Sequence, residues 1–206
     1  MSDQLTEEAG LGPPTLDEPP KRGRSRLLDW LRVQPQTPEP VSIVPYRPSG
    51  KARFQVEADL LRVSLADFKP RIEHIGSTAV PGLAARPIVD MVIGIEQASD
   101  RPTILARLRN FGYQACGAPP DSPVALQYLV RQVRDVPTHQ VHVVEAFGDA
   151  WHRLLLLRDL LRVDPLVAAE YEGVKRRLAR LHAKDPLAYM AAKTDFIERL
   201  LDSRGR

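Results

Sequence analysis

Apolar positions along this chain change period from one region to the next, and each change predicts an element. In "KARFQVEADLLRVSLADF" Phe54, Leu60, Leu61 and Leu65 fall at helical spacing, and "RIEHI" after it reads as a strand. "RPIVDMVIGI" is short and β-branched, and it is the strongest strand signal in the chain. Ser99 and Asp100 before Pro102 predict a helix start, with Gly112 as its stop. Two further strands are expected at "ALQYLVRQV" and "HQVHVVEAF", separated by the turn-forming "RDVPT". The last third is helical, with starts marked by Asp149, Asp164-Pro165 and Asp185-Pro186. In the middle one Val167, Tyr171, Val174, Leu178 and Leu181 step by four and three, which predicts a single buried stripe. Strands followed by a helical tail predict an α+β domain.

Residues 1–40 stand apart: nine of the nineteen prolines fall by position 48, which predicts a largely disordered extension ahead of a globular domain over 41–206. Inside the extension "RGRSRLLDWLRV" reads as a short amphipathic helix, either docking on the domain or contacting a membrane surface or a protein partner. With 43% hydrophobic and 27% charged residues, the remainder has enough apolar mass for one core. No apolar run is long enough to span a bilayer, so a cytoplasmic protein without a membrane span is expected. The single cysteine, Cys116, excludes an internal disulfide framework and agrees with a reducing compartment. A net charge of +3, with much of the arginine in the tails, does not by itself indicate nucleic-acid binding.

Candidate chemistry starts from Asp90, a carboxylate inside the best strand, which is costly to bury without a cation or hydrogen-bond donors. Strand alternation puts Ile88, Asp90 and Val92 on one face. Upstream, Gly76 allows a sharp turn, and Ser77, separated from Asp90 by twelve residues, offers a hydroxyl and an N–H to a phosphate oxygen. Loop donors on phosphate and a carboxylate on a metal would suit a Mg²⁺-bound nucleotide.

A Gly-Ser turn, about a dozen residues and a strand-borne carboxylate resemble the opening motif of the nucleotidyltransferase superfamily. More narrowly, "EHIGSTAVPGLAARPIVDMV" resembles the GrpB family. "VPYRPSGKARFQVEADLL", "HQVHVV", "LRDLLRVDPLVAAEYEGVK" and "AYMAAKTDFI" extend the resemblance over residues 41–201. It implies a nucleotidyltransferase-like mixed β-sheet with flanking helices and a helical C-terminal third. Active members of the superfamily carry a second carboxylate two residues on, where this chain has Val92. Gly50 stands where a tryptophan is common in the GrpB pattern, and Gln140 where the first histidine of a His-x-His pair often stands.

His142 shares a strand face with Gln140, where it reads either as a metal ligand or general base or as a structural histidine. Glu73 and His74 precede the turn on opposite faces: Glu73 is a ligand or a solvated position, and His74 is expected to shape the loop, with Thr78 supporting it. Arg158 lies on an apolar stripe with Trp151, Leu154, Leu155 and Leu161 and requires an anion, either a protein carboxylate such as Asp90 or a ligand phosphate. Asp159 is expected to point elsewhere. Lys175 and Lys193 each follow a tyrosine by four, and for each a stem on the ring with its head in water competes with phosphate binding. Lys193 is the stronger phosphate candidate, and Arg86 is a further one.

The expected function is binding of a nucleotide or other phosphate-bearing small molecule at Gly76, Ser77 and Asp90. Its catalytic form is Mg²⁺-dependent nucleotidyl transfer, with Asp90 on the metal, Ser77 on phosphate and His142 or Glu73 as ligand or base. The alternative is a non-catalytic, chaperone-like domain assisting a partner enzyme, because the resemblance extends to domains fused to dephospho-CoA kinase.

Overall fold

The computed structural model of the protein describes residues 40–116 and 127–204. The expectations for residues 1–39, the amphipathic segment included, lie outside them. Helix α1 (Ser49–Ser64) leads into strand β1 (Arg71–Ile75), a one-turn helix at Ser77–Ala79 and strand β2 (Val89–Ile95). Helix α2 (Arg101–Asn110) and strands β3 (Tyr113–Cys116), β4 (Gln127–Val133) and β5 (Val136–Glu145) follow. Helices α3 (Asp149–Val163), α4 (Pro165–Leu181) and α5 (Pro186–Arg204) close the domain.

The five strands form one mixed sheet in the order β1-β2-β5-β4-β3. Only β2 and β5 run parallel; the other neighbours are antiparallel. On one face Val89, Met91, Ile93, Val141 and Val143 pack against Ala58, Leu61 and Leu65 of α1 and Ile104, Leu105 and Leu108 of α2. On the other, Ile75, Val92, Tyr128, Val130 and Val144 meet Trp151 of α3, Leu178 of α4 and Tyr189 and Met190 of α5. Both faces of β2 are therefore covered, which explains its nearly unbroken apolar run. Asp90 interrupts that run on the face of the helical tail, beside Gln140 and with His142 opposite Val92.

Several local expectations change. Leu60 and Leu181 are exposed, because the apolar stripes of α1 and α4 are narrower than their spacing suggests. Asp149 is the first helical residue of α3 rather than its cap, whereas Asp164 accepts hydrogen bonds from the N–H groups of Leu166 and Val167. The β4–β5 turn is confined to Arg134 and Asp135, both at positive φ, so "VPT" belongs to β5. That tight turn matches the right-handed twist of the flanking strands. Strand β3 has no counterpart in the sequence reading: four residues carry too little periodicity, and its place comes from pairing with β4.

Candidate functional site

Strand β1 ends at the sheet edge, and Gly76, at φ 68° and ψ −170°, turns the chain over the end of β2. Only glycine enters that region cheaply. Space imposes the same choice, since a Cβ at Gly76 would lie 2.3 Å from Oδ2 of Asp90. The turn and the aspartate are thus in direct contact, as their strand positions suggest.

The helical tail pins this turn along its length. Lys175 of α4 is buried and donates to Oγ of Ser77 at 3.0 Å and to the carbonyl of Ala84. Glu172, one turn earlier, accepts from the Ala84 N–H at 2.9 Å. Arg162 of α3 donates twice to the Ala79 carbonyl, at 3.0 and 2.9 Å. Behind the turn, Nε2 of His74 meets Oγ1 of Thr78 at 3.0 Å and the ring stacks on Phe54, so His74 and Thr78 brace the loop. Burial, with Arg162 and Arg158 nearby, lowers the His74 pKa to about 4 and keeps it neutral.

Asp90 faces a predominantly cationic environment. Burial raises its pKa to about 6, against the opposing pull of Lys193, Arg86 and Lys175. Lys193 is half-buried above the Tyr189 ring, with Nζ 5.9 Å from its centroid. Burial lowers its pKa to about 8, Asp90 pulling the other way and Arg86 adding to the fall. Lys175 is lowered to about 7 by burial and by Lys193. Its ammonium sits 4.7 Å from the centroid of Tyr171. Among the described residues neither Lys193 nor Arg86 donates a side-chain hydrogen bond.

The other candidates lie differently. Arg158 donates to Glu73 at 2.8 Å, to Asp159 at 2.7 and 3.1 Å and to the His74 carbonyl at 3.3 Å. Its protein anion is therefore Glu73, joined by Asp159, which turns toward Arg158 rather than away. His142 is buried, and burial reinforced by Lys193 lowers its pKa to about 3. Lys175 has its head in protein rather than water. The sequence placed Tyr171 only on a buried stripe and beside the Lys175 stem, and gave Glu172 and Arg162 no role; their only sequence signal is polar or aromatic residues a turn apart on helices facing the motif.

Around Asp90 the donor set does not fit a resident Mg²⁺. One carboxylate faces Lys193 and Arg86, Val92 has no ligand atom, and no group of three or more His, Cys, Asp or Glu gathers among the described residues.

A mixed five-stranded sheet with flanking helices, a Gly-Ser turn off its edge strand and a carboxylate on the next strand define an α+β domain with its candidate site at the end of the edge strand. Within that class the model of the GrpB protein matches residues 40–203, and the chain belongs to the GrpB family. It is 31% identical over 164 residues to the glutamate-rich protein GrpB of Alkalihalophilus pseudofirmus, covering 79% of this chain and 94% of that one. The crystal structure of the conserved protein GrpB from Enterococcus faecalis superposes with a TM-score of 0.68 at 29% identity, over 79% of this chain and 96% of that one. A dephospho-CoA kinase of Mycolicibacterium paratuberculosis is 28% identical over 75% of this chain and 43% of its own length. No helix among the described residues is long and apolar enough to cross a membrane.

Proposed function

We propose that this member of the GrpB family binds a phosphate-bearing small molecule, a nucleotide first among them, at the turn of Gly76, Ser77 and Thr78. The observation that supports it is the charge imbalance of the cleft: Lys193, Lys175 and Arg86 surround Asp90, while Glu172 is engaged by Arg176 and the Ala84 N–H. Partly buried cations require a counter-anion, and phosphate offers several acceptors. In this reading Ser77 and the turn N–H groups receive phosphate oxygens, Lys193 and Arg86 neutralise them, and Lys175 holds Ser77 in place. Asp90 orients Lys193 and keeps it protonated at neutral pH. We place binding ahead of nucleotidyl transfer, because Val92 offers no second carboxylate and His142, neutral and weakly basic, is a poor general base. A cytoplasmic location, where nucleotide pools lie, belongs to the same reading.

Thermal-shift titration with nucleoside triphosphates, with and without Mg²⁺, tests it. A ligand at one hundred times its Kd contributes about 2.7 kcal/mol, which raises Tm by about 5–10 °C in a domain of this size. The expected shift occurs without Mg²⁺ and is lost in Lys193→Gln; a wild type that does not shift ends the proposal. The likeness to a dephospho-CoA kinase favours a second reading, a domain that assists a partner enzyme. On that view nucleotides leave Tm unchanged, while added protein raises the activity of such a kinase in a coupled assay.

A further inference from the structure

A concavity opens beside the turn, between the segment ahead of α1, the first turns of α1 and the residues leading into β2. Its buried lining is apolar, with Leu83, Ala85 and Val89. Its polar lining includes half-buried Tyr46 and Arg86 and exposed Arg47, and no acidic residue among the described residues lines it. Arg53 also borders the groove, but its guanidinium is committed to the carbonyls of Pro87 at 3.1 Å and Thr138 at 2.8 Å. Arg47 and Arg86, by contrast, donate no side-chain hydrogen bond to another described residue. Gly50 also lines the groove, where a Cβ would lie in ordinary contact with Thr78, 3.4 Å from its Cβ.

From this geometry we propose that the groove is a second binding subsite, taking an organic molecule with an apolar or aromatic body and an oxyanion head. The body lies on Leu83, Ala85 and Val89 beside the Tyr46 ring. The head, carboxylate or phosphate, is held by the planar donor forks of Arg47 and Arg86, a geometry that a lysine ammonium does not offer. Because Arg86 lines the groove and also acts on Asp90 and Lys193, it is the residue that the two proposed subsites share. A ligand in the groove therefore lies next to whatever the turn holds, where an acidic co-substrate would be received. The groove is argued from its own lining, and only its role as a neighbouring subsite rests on the phosphate reading.

The test is NMR titration of the ¹⁵N-labelled full chain with benzoate, phenyl phosphate and neutral benzyl alcohol. At least one anion is expected to shift the amides of residues 46–50 and 83–87, and its preference over the other identifies the head group. Arg47→Gln, at an exposed position, is expected to weaken that anion about tenfold, the size of a lost charge-assisted hydrogen bond. Equal binding of benzyl alcohol, shifts confined to residues 76–79, unchanged affinity in Arg47→Gln or no binding of either anion would each overturn the proposal. The two readings fail separately: nucleotide binding is read in Lys193→Gln, aromatic oxyanion binding in Arg47→Gln.

Discussion

Gly76 and Asp90 constrain each other through a contact that a single methyl group would break. Gly76→Ala is expected to cost at least about 2 kcal/mol, from the disfavoured backbone region and the displaced carboxylate, read as a lower urea midpoint at unchanged m. The raised pKa of Asp90 means that the folded state takes up a proton before the unfolded chain does. Its contribution to stability is therefore greatest below the unfolded value of 3.8 and falls as pH rises through about 6. Chemical denaturation of wild type and Asp90→Asn between pH 4 and 7 checks this, the expected result being a wild-type advantage that shrinks with pH. Under the proposed phosphate reading Lys193 acts in its protonated form, so affinity is expected to fall as pH rises through about 8. Lys193→Arg should keep that affinity at pH 9, as calorimetric titration would show, because a guanidinium does not titrate there. The sequence singled out these three residues by type and spacing, but their environments come from neighbours remote in the chain.

Two devices lock elements together at the sheet. Gly94 of β2 admits the Trp151 ring of α3, and a Cβ there would lie 2.7 and 2.9 Å from ring carbons. Gly94→Ala is expected to cost about 1–3 kcal/mol in denaturant melts, the size of a core overpacking defect. On the opposite face buried Glu57 of α1 accepts from the Tyr113 hydroxyl of β3 and from Arg131 of β4, both at 2.8 Å. Arg131 in turn meets Nδ1 of His139 on β5 at 2.9 Å. Glu57→Ala leaves the guanidinium without its carboxylate and is expected to lower stability by about 3–5 kcal/mol, checked by the same melts. Neither device is visible in local sequence, for each joins residues more than fifty positions apart.

Across the whole molecule the C-terminal helices both cover the sheet and hold the Gly-Ser turn, through Arg158, Arg162, Glu172 and Lys175. Lys175→Met keeps the packing volume and removes two of those bonds. Hydrogen exchange across 76–86 should then quicken while the sheet core stays protected, and unchanged protection would mean that the turn holds itself. The sequence alone was enough to determine the main strands, the helical tail and the turn-to-aspartate motif, because hydrophobic period, cap residues and glycine are local properties of a chain. Only the tertiary structure decided that Arg158 meets Glu73, that Lys175 is buried against the turn, and that Arg86 lines a groove beside it. Those pairings depend on how remote elements pack, and a side chain's charge partner is set by distance in space rather than along the chain.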